Sequence, residues 1–365
     1  MEENILTEHL KGLLEFSTII NSSLEIEEIR KRAIEASMKL VNCEAGSLLL
    51  YDEESGELYF DVALGEKAEK IKTIRLKPGE GIAGWVAENK QAVIINDVQN
   101  DPRFFRGGDE KSGFKTKTMI SVPVMIKERL IGVLQAINKR NSFFNEYDLE
   151  LLKALSCQVA VAIENARLYS ELKETFYAIV FALADTIEKR DPYTGGHTKR
   201  VMDYSVSTGI EMGLSKKELE NLKLAAILHD IGKIGIRDVI LLKEGKLTDE
   251  EFKIIKNHTI YGAEILEYVK QLKDIVPGVK YHHENFDGTG YPEKLREENI
   301  PLIARIIAVA DTFDAMTTDR PYRKGLPINS AFEELKRKAG TQFDPQVVDA
   351  FIRAFNKMEA KANED

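Results

Sequence analysis

The chain is 365 residues long, 43% hydrophobic and 30% charged, which suits two domains that each bury a core of their own. Its 51 basic and 60 acidic side chains leave a formal charge of −9. That excludes a nonspecific nucleic-acid binder, though not a locally basic pocket for an anionic ligand. Two cysteines, Cys43 and Cys157, exclude a disulfide framework and fit a reducing compartment; both are expected to pack in a core.

The start, MEENILTEHL, is acidic and lacks the basic-then-apolar order of a secretion signal. Residues 4 to 40 read as helices split by a turn at Asn21, Ser22 and Ser23, with His9 on a charged surface. SLLLYDEESGELYFDVAL (47–64) reads as two strands around a Glu-Ser-Gly turn, and TMISVPVMIKERLIGVLQAIN (118–138) as two more around Lys127, Glu128 and Arg129. The polar stretch between these hairpins is expected to be irregular, with a glycine-rich tip at Arg106, Gly107 and Gly108.

From Glu146 the pattern turns helical and holds for about 45 residues, well beyond an ordinary globular helix, until Asp191 and Pro192. Leu152, Leu155, Val159, Ala162, Ala166 and Tyr169 keep 3-4 spacing, and Leu168, Leu172, Phe176, Ile179 and Leu183 take over the stripe. An apolar seam on a helix bridging two domains predicts a parallel two-stranded coiled coil, hence a homodimer through this linker helix. The competing reading is that each half packs on its own domain. The longest apolar run, near FYAIVFALA (176–184), falls short of the ~18 residues of a membrane span. No membrane span and a cytoplasmic location are expected.

Past residue 190 no strand pattern appears, and the second half reads as a helical bundle. Ser215 with Glu218, and Thr248 with Glu251, form capping boxes that mark helix starts. The first helix is expected to end at His229 and Asp230, just before Gly232; the second places His258 in the body of the next helix.

Of six histidines, five (His197, His229, His258, His282 and His283) fall between residues 197 and 283. His229 and Asp230 close the apolar helix KLAAILHD, with Lys233 one turn later. A carboxylate beside an imidazole at the inner end of a buried helix requires a cation or a partner, because an unpaired buried charge is too costly. Asp311, in RIIAVADTFDAM, poses the same requirement. Collected in one site, these residues offer neutral imidazoles and carboxylates but no thiolate. That set suits iron, manganese, nickel or zinc and disfavours a closed structural zinc site. Two divalent ions held close together are a device for phosphodiester hydrolysis, generating hydroxide at neutral pH and stabilising charge on the phosphate.

HDIGKIGI (229–236), HTIYGAEIL (258–266), HHENFDGTGYP (282–292) and ARIIAVADTFDAMTTDRPYR (304–323) resemble the HD-GYP family, helical metal-dependent phosphodiesterases of the bacterial messenger cyclic di-GMP. The match covers roughly residues 172 to 355 with every motif in order. The resemblance implies His197, His229, Asp230, His258, His282, His283 and Asp311 as ligands of two divalent metal ions, most simply iron or manganese, with Asp230 bridging. It implies Lys233 near the scissile phosphate, Arg320 and Arg323 gripping the substrate phosphates, and Tyr291 and Asp314 touching the rest of the ligand. Two arginines three residues apart can present bidentate donors to one dianion. Some family members carry a glutamate four residues before the first ligand histidine, associated with a third metal ion. Here that position is Tyr193, a poor ligand at neutral pH because phenol ionises near pH 10, so two ions per chain are expected.

KPGEGIAGW (77–85) contains G-x-G-x-x-G, but the preceding IKTIRLKP is charged and ends in proline, unlike the buried strand of a dinucleotide fingerprint. GEGIAGWVAENKQAVIINDVQNDPRF (79–104), SVPV, IGVLQAINK and VAIENARLY instead resemble a GAF domain over about residues 8 to 170. The resemblance leaves its ligand open, since GAF pockets hold cyclic nucleotides, haem, bilins or nothing. Asn138, Lys139, Phe144 and Asp148 partly match the N-K-F-D-E signature of cyclic-nucleotide-binding members, with Leu149 where the final acid belongs. A fold brace through a Lys139–Asp148 pair is the favoured reading of these residues.

The expected architecture is therefore α+β. A GAF sensor (8–165), an antiparallel sheet flanked by helices, is joined by a long helical linker (166–190) to an all-α HD-GYP domain (172–355). The expected activity is hydrolysis of cyclic di-GMP to pGpG, with GMP as the further product. Two alternatives stand beside it: a hydrolase of another nucleotide such as pGpG, and an adaptor whose Gly-Tyr-Pro loop docks a diguanylate cyclase.

Overall fold

The computed structural model describes residues 18, 20, 22–64, 74–190, 196–243, 245–319 and 324–362, with backbone alone for 61–64, 361 and 362. His9, Asp191, Tyr193, Arg320 and Arg323 lie outside the described residues. The chain divides into two compact units, Met1–Glu174 and Thr175–Asp365.

The first unit is built on a six-stranded antiparallel sheet of order β3-β2-β1-β6-β5-β4. Its strands are β1 (Cys43–Asp52), β2 (Glu57–Leu64), β3 (Arg75–Leu76), β4 (Val93–Ile95), β5 (Met119–Ile126) and β6 (Arg129–Lys139). Both anticipated hairpins are present. Central β1 carries an unbroken Leu48-Leu49-Leu50 run because both faces of the sheet are covered. Leu48 and Leu50 join a core with Ile29 and Ile34 of helix α1 (Ile26–Leu40). Leu49 points to the other face, toward Ala83 and Val86 of α2 (Gly81–Asn89).

The stretch between the hairpins is more ordered than its polar composition suggests. It holds α2 and a short helix, α3 (Gly107–Ser112), that starts at the expected glycine tip. The G-x-G-x-x-G glycines serve packing: a Cβ on Gly84 would lie 2.4 Å from the Lys77 carbonyl oxygen. Cys43 is buried as expected, but Cys157 is exposed. It sits on the outer face of the next helix, which periodicity alone does not assign.

That helix, α4, runs unbroken over Glu146–Glu188, 43 residues. Leu152, Leu155, Val159, Ala162 and Ala166 are buried in the core of the first unit. They are therefore not part of an intermolecular seam, as the sequence reading had them. The half of the stripe beyond residue 167 behaves otherwise. Leu168, Tyr169, Leu172, Ile179 and Leu183 are exposed, while Val180 and Ala184 face the core of the second unit.

The second unit is helical. It contains α5 (His197–Glu211), α6 (Lys216–Leu228), α7 (Asp238–Leu241), α8 (Asp249–Lys256), α9 (His258–Glu267), α10 (Val276–Tyr281), α11 (Leu302–Thr317), α12 (Ile328–Lys338) and α13 (Pro345–Ala362). Among the described residues past 190, the sole strand-like pairing is an isolated bridge between Ala339 and Phe343. Phe313, Phe332, Phe351 and Phe355 form its aromatic centre. Both capping boxes are present, Ser215–Glu218 opening α6 and Thr248–Glu251 opening α8. One expectation fails: α8 ends at Lys256, and His258 begins α9 instead of sitting in a helix body. The chain tightens at that junction, where the Asn257 amide donates to Ile254 and the His258 ring holds the Ile255 carbonyl. Among the described residues no helix is long and apolar enough to cross a membrane.

Candidate metal centre

The apolar run Leu224–Leu228 buries the end of α6, so its cap residue His229 emerges in the interior, 1% exposed. Its Nδ1 lies 2.7 Å from the Ala226 carbonyl oxygen. His258 makes the same bond to Ile255, and His282 to Val279, each at 2.7 Å and each three residues back. A carbonyl only accepts, so Nδ1 of these three rings carries the proton and Nε2 is a bare lone pair. The fourth ring, His197 at the start of α5, bonds through Nδ1 to Asp314 Oδ2 at 2.7 Å.

The freed Nε2 atoms then face one another. His258 and His282 approach to 3.4 Å, and His197 and His229 to 3.3 Å. Two lone pairs at that distance repel unless a cation lies between them. A proton on His197 could bridge its pair: burial opposes charge there, but the Asp314 bond and the charges of Asp311 and Asp230 outweigh it and raise its basicity. No proton relieves the other group. Burial, followed by neighbouring imidazoles, pushes His282 well down and His283 to about 3, and burial lowers His258 despite Asp230.

Asp230 lies between the two groups. Its Oδ2 is 3.5 Å from His229 Nε2 and 2.7 Å from Lys233 Nζ, while its Oδ1 is 3.5 Å from His258 Nε2. Burial resists its charge, but Lys233 and the surrounding imidazoles hold its carboxyl well below the usual range. Asp311 Oδ1 is 3.5 Å from His197 Nε2. Donors sharing one ion at ~2.0–2.2 Å each lie about 3.0–3.5 Å apart, so the spacing fits two ions. His197, His229 and Asp230 form one compact donor group, with Asp311 beside His197; His258, His282 and His283 form the other, with Asp230 beside His258.

The structure thus brings together all seven residues expected as ligands. It places three others differently from their expected roles or in closer detail. Asp314, expected against substrate, is 2% exposed and faces inward. It holds His197 and accepts from Arg200 Nε at 2.5 Å. A carboxylate behind a ligand imidazole fixes which ring nitrogen faces the ion. Lys233 reaches Asp230 directly. Tyr291 lies 5.0 Å from the His283 ring, with Lys256 Nζ 5.0 Å over its face. Tyr291 lines a cavity of about 260 Å³ beside His282 and His283, with Phe252, Lys256, Asn285 and Phe343.

Sequence reasoning missed Arg200 and Glu284. Arg200 stands three residues after His197 on the same helix face, a spacing that could have marked it. Glu284 is 3% exposed and accepts from the Glu293 amide at 2.7 Å, bracing the Gly-Tyr-Pro loop; only proximity to His283 hinted at it.

Comparison with known proteins agrees with this division. Residues 182–347 match the HD domain family and residues 23–164 the GAF domain family. The chain is 38% identical over 239 residues to a cyclic di-GMP phosphodiesterase of Thermotoga maritima, covering 64% of each chain. It is 40% identical over 207 residues to the cyclic di-GMP phosphodiesterase response regulator RpfG of Xanthomonas campestris, covering 55% of this chain and 54% of that one. It is 36% identical over 218 residues to the 3'3'-cGAMP-specific phosphodiesterase 2 of Vibrio cholerae, covering 59% and 42%. The chain thus spans less than two thirds of the length of each of these relatives.

Proposed function

This chain joins a GAF domain to an HD domain, and on that premise we propose that it is a metal-dependent phosphodiesterase of cyclic di-GMP. The observation that carries the reading is the pair of donor groups with Nε2 lone pairs turned inward and one carboxylate spanning both. Two divalent ions, iron or manganese, would supply an acidified water and neutralise charge at phosphorus. His197, His229, Asp230 and Asp311 would hold one, and Asp230, His258, His282 and His283 the other.

The remaining roles fall to the chain itself. The buried Nδ1–H bonds keep the imidazoles neutral and aimed. Lys233 places a cation beside Asp230, where the phosphate would arrive. The cavity walls of Phe252, Tyr291 and Phe343 offer apolar faces to a purine base, with Asn285 supplying polar contacts. Arg320 and Arg323, two residues of the same motif, are proposed as phosphate clamps. The exposed residues Leu168, Leu172, Ile179 and Leu183 step by four, seven and four residues, an 11-residue repeat that keeps them on one face of the helix. We assign that face to a second copy of this chain.

The likeness to a 3'3'-cGAMP phosphodiesterase supports a mixed purine dinucleotide as the second reading. The test is turnover by anaerobically purified, metal-loaded protein on cyclic di-GMP, 3'3'-cGAMP and pGpG. Fastest cleavage of cyclic di-GMP supports the proposal. Preference for either of the others reassigns the substrate, and no cleavage of any, with capture of a diguanylate cyclase, would favour the adaptor.

A further inference from the structure

The end of α4 meets both segments that carry the centre. Gly196 precedes α5 and has no side chain to cap the helix, so the first amides of α5 need acceptors from elsewhere. Glu188, in the last turn of α4, provides them. Its Oε1 accepts from the His197 amide at 3.0 Å and its Oε2 from the Thr198 amide at 3.1 Å. With both oxygens occupied by backbone, this carboxylate acts on the site through His197. The negative charge also favours a helix N-terminus.

Two residues on, Arg190 makes the complementary contact. Its Nη1 donates to the carbonyls of Lys233 and Ile234 at 3.3 and 3.2 Å, and its Nη2 to that of Ile236 at 2.9 Å. Asp238 Oδ1 holds the same guanidinium at 2.6 Å. These carbonyls end the 3-10 turn Ile231–Gly235, which begins directly after Asp230 and carries Lys233. A planar fork satisfies several carbonyls at once in a way that a lysine cannot.

We propose that Glu188 and Arg190 are positioning residues. Glu188 sets the ion position formed by His197, His229, Asp230 and Asp311, and Arg190 sets Lys233. Both sit at the C-terminal end of α4, so that end of the helix sets one ion position and the lysine. The second position shares Asp230 but takes His258, His282 and His283 from segments that these bonds do not reach. This rests on the proposed metal-dependent reading.

The test is metal titration followed by elemental analysis on the full chain. In Glu188→Ala one ion should bind as in the unmodified protein and the other roughly 10- to 100-fold more weakly, the usual cost of losing a support behind a ligand. Glu188→Gln, which retains one acceptor, should fall between. Arg190→Ala should keep both ions and lower kcat with KM unchanged. Hydrogen exchange on the unmodified chain guards against misfolded variants: metal should slow exchange at the His197 and Thr198 amides at least about tenfold, by linkage to the clamp. Equal affinity at both positions in Glu188→Ala, equal weakening of both, or metal-independent exchange would overturn the clamp. An unmodified chain that binds no metal would instead overturn the reading on which it rests.

Discussion

Each half of the chain buries a polar group of residues, and the two groups are satisfied in opposite ways. In the GAF half, Lys139 Nζ meets Asp148 Oδ1 at 2.5 Å. Asn138 Oδ1 accepts from the Lys117 and Thr118 amides, and its Nδ2 donates to Glu44 and the Lys115 carbonyl. Donors meet acceptors, and nothing in the arrangement calls for a ligand. In the HD half, the Nε2 lone pairs of His258 and His282 meet each other, and His197 and His229 turn their Nε2 atoms together. Buried polar groups with complementary partners brace a fold, whereas groups that are complementary only once a cation is added mark a site. Residue type alone does not separate the two cases; the direction of each proton does.

The sharpest way to break this contrast is Asp230→Ala. Removing the carboxylate that spans both donor groups should abolish turnover and release both ions while the helical content survives. Full metal content with turnover would refute the two-ion arrangement. On the GAF side, Lys139→Ala leaves Asp148 buried and unpaired, and denaturant unfolding should show about 3–5 kcal/mol lost. Metal content should stay unchanged. The double variant Lys139→Met with Asp148→Leu should recover most of that loss; if it does not, the pair does more than brace.

A smaller effect concerns the helix joining the two. Val159 is fully buried in the GAF core, so a charge there would test folding instead of association. Leu172→Glu with Ile179→Glu, both at exposed positions, should halve the mass seen by light scattering and leave the melting temperature near its original value. An unchanged mass would locate self-association elsewhere. The smallest expected effect is a labelling difference. Burial pushes the Cys43 thiol up to about 11, and Cys157 is exposed. Alkylation of the native protein at pH 8 should therefore modify Cys157 and spare Cys43.

Much of the fold was legible because its signals are local. Strand alternation, two capping boxes and a helix of unusual length each follow from neighbours in sequence. The five histidines and two aspartates proposed as ligands stood out as a set through the motifs that resemble the HD-GYP family. What escaped was direction. The helical stripe of α4 gives the same spacing whether a residue turns toward its own sheet or toward solvent, so Val159 and Leu172 looked alike. Asp314 was expected against the substrate; its inward turn toward His197 and Arg200 depends on a contact across more than a hundred residues. The bond of Glu188 to two amides is a property of the folded backbone.

The central claim, that two inward-facing donor groups share Asp230 around a pair of ions, is tested most directly by elemental analysis. The unmodified chain is purified anaerobically, loaded with excess iron or manganese and freed of loosely held metal. The account expects two ions per chain. One ion, none, or three tightly held ions would contradict it.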